Sequence, residues 1–437
     1  MSPLEIGLII GLVTIAVLAT GVPIAFGLGF VALVFLLIFQ GPAGIAFAGE
    51  LFFSGLDDFT LIAIPMFIVM GAAIGSSAAG GDLYAALERW FGRVPGGLVI
   101  SNICACTIFA ALSGSSPATC AAIGKMGIPE MRRRGFDDGL AAGSIAAGGT
   151  LGILIPPSVT MIVYGIATGT SIGRLFLAGL LPGLLLTSLF VAWALYSTWR
   201  SGTMLSSLRA YSLRSKIELL PKVFPFLGIV AAILYVLYGG IATPSEAAGV
   251  GALLCLIFVV VLYRVTSGGI WRILRSSMNE SAMVMMIIAA SALFGYMLSA
   301  LFVTQSIAEW ITNLEVNRWV LLGIINVFLL LAGFFLPPVA VIIMTAPLLL
   351  PVISSAGFDP VWFAVIMTIN LEIGLITPPV GLNLYVINGI APDIPLGSIL
   401  RGALPFVMMM ILGIVLLCVF PQVVTWLPDL MMNPVSR

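Results

Sequence analysis

Four short stretches rich in glycine, proline and hydroxyl residues interrupt otherwise apolar segments of this sequence. They read GSSPAT at 114–119, LIPPSV at 154–159, FLPPVA at 335–340 and LITPPVGLN at 375–383. Glycine lets backbone approach closely, and Ser, Thr and Asn side chains supply neutral oxygen atoms. Such hard ligands suit an alkali cation better than a transition metal. The stretches therefore predict sodium binding, and the free N–H groups of helices that begin there would favour an anion.

The candidate residues for binding substrate and sodium lie at or near these interruptions. They are Ser113, Gly114, Ser115, Ser116, Thr119, Gly148, Gly149, Thr150, Gly152, Pro156, Pro157, Ser158, Gly333, Pro337, Thr345, Glu372, Gly374, Thr377, Pro378, Pro379, Gly381 and Asn383. The alternative interpretation is that small residues only let helices pack closely in lipid. Ser116 before Pro117, and Thr377 before Pro378, put an N-cap hydroxyl ahead of a proline, so we expect half-helices to begin there.

An acid inside the last interrupted segment, Glu372, is a functional hypothesis by default, because a charge within a membrane is costly. The other interpretation is a structural carboxylate paired with a polar neighbour such as Asn370. The chain has no histidine, and no Lys or Arg lies inside the interrupted segments. A proton relay is thus poorly supplied, and sodium coupling is favoured. We predict no catalytic residue and no cofactor besides sodium as the coupling ion.

The composition requires a membrane protein. Hydrophobic residues make up 61% of the 437 residues and charged residues 8%, with a mean hydropathy of +1.20, whereas a soluble domain carries about 25% charged residues. The apolar runs are of the length at which a helix crosses the hydrocarbon core, about 20 residues. Eighteen Lys and Arg balance eighteen Asp and Glu, which leaves no basic surface for nucleic acid.

Four segments are too long and too interrupted to be simple spans. We interpret 95–124 and 319–355 as re-entrant hairpins, and 139–169 and 361–390 as broken helices. With this assignment all but three of the 18 Lys and Arg fall on one side, which the positive-inside rule makes cytoplasmic; the exceptions are Arg174, Arg318 and Arg437. The first hairpin then opens to the cytoplasm and the second to the periplasm.

The two halves of the chain repeat one pattern. Forty residues separate Pro117 from Pro157, and 40 separate Pro338 from Pro378. This spacing indicates an inverted-repeat transporter with its site at the midplane, the alternative being a chance match of scattered prolines. The predicted fold is an all-α polytopic membrane protein with two re-entrant helical hairpins and two broken transmembrane helices. Its predicted parts are a first half at 1–199, a cytoplasmic interfacial arm at 200–222 and a second half at 223–437.

Six stretches, in order, also carry a family resemblance. They are FSGLDDFTLIAIPMFIVMG (53–71), LSGSSPATCAAIG (112–124), IPEMRRRGFDDGLAAGSIAAGGTLGILIPPSVTMIVYG (128–165), SIGRLFLAGLLPG (171–183), TPSEAAGVGA (243–252) and INLEIGLITPPVGLNLYV (369–386). Together they resemble the large membrane (M) subunit of TRAP transporters, the tripartite ATP-independent periplasmic family. The similarity extends over nearly the whole chain.

The resemblance implies a multi-pass protein of the bacterial inner membrane that imports a small organic acid with sodium, such as a C4-dicarboxylate, sialic acid or another carboxylate. It implies two partners, a periplasmic substrate-binding protein and a small four-helix membrane subunit. It also implies that three regions enclose sodium and substrate, namely the first hairpin tip at Ser113–Thr119, the first broken helix at Gly148–Ser158 and the second at Thr377–Asn383. Elevator-like motion is what the family suggests, and the sequence does not separate it from rocking.

The second hairpin tip departs from the family pattern. Members usually show Gly-Met-Phe-Leu-Asp-Pro, whereas this chain has Gly-Phe-Phe-Leu-Pro-Pro from Gly333 to Pro338. Pro337 thus stands where the acid is expected, and Glu372 stands where Gln is expected. We hypothesise that Glu372 supplies the missing carboxylate of the second cation site from the neighbouring segment.

Two other functions remain for comparison. One is a self-sufficient anion or carboxylate transporter of similar architecture that needs no binding protein. Adjacent genes for a periplasmic protein and a small membrane subunit would distinguish the tripartite system from this alternative. The other is a membrane enzyme, which is disfavoured because the chain lacks histidine and a clustered nucleophile with its base.

Overall fold

The computed structural model describes residues 1–200, 211–313 and 317–432, and this part of the chain is helical with no β-strand. Helices are the expected result in lipid, since each backbone polar group must find its partner within its own segment. Six described helices are long and apolar enough to cross a membrane, and a bent pair at Pro42–Ser54 and Phe59–Gly75 brings the number to seven. The predicted all-α polytopic fold is confirmed.

Eleven helices precede residue 201. They are α1 (Pro3–Ala19), α2 (Ile24–Gln40), α3 (Pro42–Ala46), α4 (Ala48–Ser54), α5 (Ala63–Gly75), α6 (Ala79–Phe91), α7 (Gly97–Ser113), α8 (Ser116–Arg133), α9 (Asp138–Thr150), α10 (Val159–Thr168) and α11 (Ile172–Arg200). Short 3-10 turns at Phe59–Ile62 and Leu151–Ile153 precede α5 and follow α9.

Eleven more helices follow in the described part. They are α12 (Leu213–Glu218), α13 (Leu220–Tyr238), α14 (Pro244–Tyr263), α15 (Ser267–Ala300), α16 (Val303–Asn313), α17 (Arg318–Gly333), α18 (Pro338–Ser355), α19 (Pro360–Leu375), α20 (Leu382–Ile390), α21 (Leu396–Val419) and α22 (Gln422–Met432). Residues 201–210 of the predicted arm and 433–437 of the predicted second half lie outside the described residues, so these boundaries stay predictions.

The four interrupted segments have the predicted helical architecture. The helix pairs α7/α8 and α17/α18 form the two hairpins, and α7 turns into α8 at Gly114, whose φ of 58° is in the left-handed region. Irregular backbone separates α9 from α10 and α19 from α20, which makes the two broken helices. Backbone of this kind at membrane depth requires protein or water around it, so these segments must lie inside the bundle.

The halves meet where α9 crosses α21. A Cβ added to Gly402 would lie 1.8 Å from the carbonyl oxygen of Gly139, and one added to Gly143 would lie 2.2 Å from the carbonyl carbon of Gly402. The two backbones are therefore in direct contact at this crossing, as only glycine allows. The first broken helix is thus held against the second half.

Charged side chains connect the loops on the side predicted to be cytoplasmic. Arg134 pairs with Glu88, which also accepts a hydrogen bond of 2.7 Å from the hydroxyl of Tyr211. Arg132 pairs with Asp393, in the loop before α21, and this guanidinium holds the pKa of Asp393 below its usual range. These interactions connect the end of α8 to α6 and to the loop between α20 and α21, and they connect α6 to Tyr211, which lies shortly before α12.

Candidate functional site

Both hairpin tips line one cavity of about 700 Å³. The first tip contributes Ser113 to Ala118, and the second contributes Pro337 to Val339. The remaining wall comes from the start of α2, from α5, from the stretch of α15 that begins at Glu280 and from both broken helices, through Ile153, Val159, Thr160, Leu375 and Leu382. Tips from opposite halves of the sequence therefore face the same space, as an inverted repeat with a central site requires.

The first tip is built around the turn at Gly114. Ser115 is extended and precedes α8, so Ser116 is the first residue of the helix and Pro117 the second. The hydroxyls of Ser113 and Thr119 hydrogen-bond to each other at 2.8 Å, which closes the tip. The expected N-cap at Ser116 is thus wrong by one residue, because the left-handed turn delivers Ser115 to the N-cap position. The hydroxyl of Ser116 is used elsewhere.

That hydroxyl donates a hydrogen bond of 2.7 Å to Oε1 of Glu372. Glu372 is 1% exposed, and its Oε2 has no hydrogen-bond partner in the described part of the chain. Asn370 bonds instead to Asn326, at 2.7 Å, so the pairing of Asn370 with Glu372 is wrong. The reason is helical geometry, since residues two apart point to different faces. A buried carboxylate with one hydrogen bond is incompletely compensated, and a cation would complete it.

The end of α19 also touches the second hairpin. A Cβ on Gly374 would lie 2.5 Å from the carbonyl oxygen of Gly333, so α19 and α17 are in backbone contact there. Glu372 faces the first hairpin and Gly374 the second, although the two residues are only two positions apart in the sequence. A role of Glu372 at the second cation site stays a prediction, and its hydrogen bond is to the first tip, at Ser116.

The second broken helix does not restart at Thr377. The hydroxyl of Thr377 donates to the carbonyl oxygen of Ile373, and α20 begins at Leu382 after Gly381, whose φ is 55°. The expected N-cap at Thr377 is therefore wrong, because its side chain bonds back to the preceding turn. Asn383, in the first turn of α20, donates to the carbonyl oxygen of Ala146 at 3.2 Å and crosses between the halves.

The first broken helix lies directly behind the first tip. A Cβ on Gly152 would lie 2.8 Å from the carbonyl oxygen of Ser115. Ser158 caps α10, accepting from the backbone N–H of Met161 at 3.3 Å, while its hydroxyl donates to the carbonyl oxygen of Ile153. The break therefore packs against the tip, and the hydroxyl of Ser158 finds its hydrogen-bond partners within the same segment.

The predicted residues divide into a lining set and a supporting set. The cavity is lined by Ser113, Gly114, Ser115, Ser116 and Pro337. Outside that lining lie Thr119, Gly148, Gly149, Thr150, Gly152, Pro156, Pro157, Ser158, Gly333, Thr345, Glu372, Gly374, Thr377, Pro378, Pro379, Gly381 and Asn383. Thr345 is inside α18, where its hydroxyl donates to the carbonyl oxygen of Val341 at 2.7 Å.

Sequence reasoning missed Glu280. It is the one charged side chain among the described residues that line the cavity, and no hydrogen bond or ion pair joins it to the described chain. A signal was present, because Glu280 is the last acid before the apolar end of α15, 20 residues from Ala300. The described chain has no cluster of three His, Cys, Asp or Glu suited to a metal ion.

Replacing Gly374 by Ala should weaken the contact between α19 and the second hairpin. The added methyl meets backbone at 2.5 Å, and overpacking of this kind costs about 1–3 kcal/mol. The measurement is thermal unfolding of the purified variant. Gly389→Ala, in α20, is the matched control because its Cβ meets nothing within 4 Å. Equal unfolding temperatures for the two variants would contradict the contact.

Two hairpins and two broken helices, all meeting around one cavity inside an apolar helical bundle, define a membrane transporter of the inverted-repeat type. The sequence profile described as "Tripartite ATP-independent periplasmic transporter, DctM component" matches residues 12–423. The chain belongs to this family, the DctM components of TRAP transporters. The resemblance drawn from the six stretches is confirmed, and with it a bacterial inner-membrane transporter that is not an enzyme.

Individual relatives cover most of the chain. It is 39% identical over 378 residues to the C4-dicarboxylate TRAP transporter large permease protein DctM of Pseudomonas aeruginosa, covering 86% of this chain and 88% of that one. It is 35% identical over 420 residues to the sialic acid TRAP transporter large permease protein SiaM of Vibrio cholerae, covering 96% and 97%.

Two further comparisons concern chain organisation and fold. The isethionate TRAP transporter permease protein DctMQ of Oleidesulfovibrio alaskensis is 34% identical over 407 residues, which cover 93% of this chain and 64% of that one. The YdaH transporter of Alcanivorax borkumensis superposes with a TM-score of 0.62 over 88% of this chain and 89% of that one, at 16% identity. This second likeness concerns the fold alone.

Proposed function

We propose that this protein is the permease subunit of a sodium-coupled secondary transporter that imports a small organic acid. The observation that carries the proposal is the buried carboxylate of Glu372, which has a free oxygen and is hydrogen-bonded to a hairpin tip that lines the cavity. A sodium ion beside that oxygen would offset the cost of the buried charge. Ser116 and the carbonyl groups of the tip would supply further hard ligands.

The substrate is proposed to be a carboxylate bound between the tips. Both α8 and α18 begin at the cavity, at Ser116 and Pro338. The N-terminus of a helix carries about +0.5 of an elementary charge together with free N–H donors, which favour an anion. Relatives named for C4-dicarboxylate, sialic acid and isethionate support an acidic substrate.

Sodium also provides the driving force in this proposal. Moving one elementary charge through the membrane potential is worth about 2.3 kcal/mol per 100 mV. A dianion that enters a negative interior is opposed by this field, so its import needs more than two sodium ions for the potential to help. The carboxylate of Glu372, which forms no ion pair in the described chain and has one oxygen without a partner, is compatible with such cation binding.

Two partners complete the proposed system. A periplasmic binding protein would deliver the acid, and a small four-helix membrane subunit would cover part of the apolar surface. The word tripartite in the family description supports three components. The relative named DctMQ is longer than this chain, which is consistent with a second component joined to it. We propose alternating access by movement of the hairpins and broken helices against the other spans.

Sodium should stabilise the purified protein specifically. A ligand that binds only the native state stabilises it by about 2.7 kcal/mol at 100 times its Kd, so unfolding in sodium chloride should occur at a higher temperature than in potassium or choline chloride. Thermal unfolding at matched ionic strength measures this difference. Identical curves in the three salts would contradict sodium coupling through sites in this chain.

A further inference from the structure

The charge of the cavity points to a narrower class of substrate. We infer that the transported acid is zwitterionic, with a carboxylate at one end and a cationic nitrogen at the other, and that Glu280 is the counter-charge of this nitrogen. The inference rests on the proposed function, which supplies the carboxylate and the sodium. It adds the nitrogen and the residue that recognises it.

The first line of evidence is the sign of the charge around the cavity. Its described lining includes no Lys or Arg, while Glu280 lies on the α15 wall without an ion pair or hydrogen bond. A second carboxylate, that of Glu372, lies outside the lining and accepts a hydrogen bond from the lining residue Ser116. Its Oε2 has no partner in the described chain. One carboxylate in the described lining, a second behind it and no side-chain cation make the cavity unfavourable for a dianion.

The second line of evidence is the arrangement of these groups. The two helix starts at Ser116 and Pro338 belong to the hairpins, whereas Glu280 belongs to α15, a separate wall of the same cavity. Positive helix ends on the hairpins and a carboxylate on α15 complement a molecule with separated charges. A sodium ion at Glu372, as proposed above, would neutralise that acid and leave Glu280 as the cavity's uncompensated charge.

A dicarboxylate fits the same cavity less well. One of its carboxylates could lie at the helix starts, but the other would then share the cavity with Glu280, and like charges repel each other. The neutral remainder of the lining is mainly apolar, including Met283, Val284 and Ile287 of α15. Such a surface favours methylene groups between the two charged ends or methyl groups on the nitrogen.

The test measures ligand-dependent thermal stabilisation of the purified full chain in sodium chloride. The zwitterionic probes are 4-aminobutyrate, glycine betaine and γ-butyrobetaine, and the dianionic probes are succinate and glutarate, with butyrate as the monoanion lacking nitrogen. We expect at least one zwitterion to stabilise the protein more than butyrate and more than either dianion. A dianion as the strongest ligand, or no stabilisation by any zwitterion, would overturn the inference.

Charge variants assign the effect to Glu280. Glu280→Gln should weaken the affinity for the stabilising zwitterion by about tenfold, equivalent to about 1.4 kcal/mol, and leave butyrate affinity unchanged or higher. Glu50→Gln, which removes an exposed acid of α4 outside the cavity lining, should leave both affinities unchanged. Glu280→Lys should reverse the preference toward succinate. Unchanged zwitterion affinity in Glu280→Gln would assign recognition to other groups and refute the role of Glu280.

The sodium readout separates this inference from the proposed function. Sodium-specific stabilisation in the absence of any organic ligand tests the coupling sites alone. If sodium stabilises the protein and a dianion is its strongest organic ligand, the transporter proposal holds and the zwitterion inference fails. If sodium has no specific effect, the proposed function fails before the substrate class is addressed.

Discussion

Replacing Glu372 by Gln is expected to abolish the sodium-specific stabilisation of the protein and to raise its stability in choline chloride. The amide oxygen of Gln still accepts the hydrogen bond from Ser116, so the local geometry is kept while the charge is removed. Removing one partner of a buried charged interaction costs about 2–5 kcal/mol of binding, which corresponds to at least about 30-fold in sodium affinity. Without sodium, the wild-type carboxylate must either stay an uncompensated buried charge or take up a proton, and Gln avoids both costs.

Glu372→Gln should lose the stabilisation by sodium but gain stability in choline chloride. These opposite effects distinguish a cation-binding role from a purely structural one. A residue that only supports the fold would lower the unfolding temperature in every salt. Thermal unfolding in sodium and in choline chloride provides both values, and Glu50→Gln is the control for loss of a negative charge at an exposed position. An unchanged sodium effect in Glu372→Gln would exclude this carboxylate from cation binding. A wild-type protein stabilised by acid instead of sodium, with the effect lost in Gln, would indicate a proton.

Replacing Gly402 by Ala is expected to destabilise the whole bundle, with a loss of about 3 kcal/mol or more. The new Cβ would lie 1.8 Å from the carbonyl oxygen of Gly139 and 2.3 Å from its carbonyl carbon. Backbone does not move aside as a flexible side chain does, so α9 and α21 would have to separate. The expected result is a strong fall in the fraction of protein that is monodisperse after heating.

Gly397→Ala is a matched control in the same helix, because a Cβ there meets nothing within 4 Å. An exposed glycine replaced by alanine in a helix is neutral or stabilising by up to about 1 kcal/mol. Size-exclusion chromatography after a temperature series compares the two variants directly. Similar thermal stability of Gly402→Ala and Gly397→Ala would refute the direct backbone contact between the halves.

The breaks in the helices could be predicted from sequence because their cause is local. Proline and glycine in an apolar run interrupt a helix wherever they occur, so the tips near Ser116 and Pro337 and the breaks near Pro157 and Pro378 were assigned correctly. The exact residue at which each helix begins is harder to predict from sequence. Whether Ser115 or Ser116 becomes the N-cap depends on the turn at Gly114, and Thr377 bonds back to Ile373.

Partners distant in sequence were not predictable from one chain. The hydrogen bond from Ser116 to Glu372 joins residues 256 positions apart, and no local pattern specifies which polar residues meet across a bundle. The contact of Gly139 with Gly402 is equally non-local. Glu280 is hard to predict for another reason, since it lies on the continuous helix α15, where no glycine or proline break marks the cavity wall. Composition and spacing therefore predict the architecture, whereas the contacts within the site follow from packing.

Glu372 and Gly374 lie two positions apart on α19, and this placement affects how tightly the two hairpins are coupled. One turn of helix contacts both hairpins, through Glu372 and Gly374, so we expect a displacement of either tip to affect the other. By thermodynamic reciprocity, if a ligand at the first tip changes the binding affinity at the second, a ligand at the second tip changes the affinity at the first by the same factor. In the proposed ion-coupled carrier, this connection would oppose slippage, because an ion crossing alone would have to move both hairpin tips without the bound solute. A fixed ratio of ions to solute would then follow from the helix that both hairpins share.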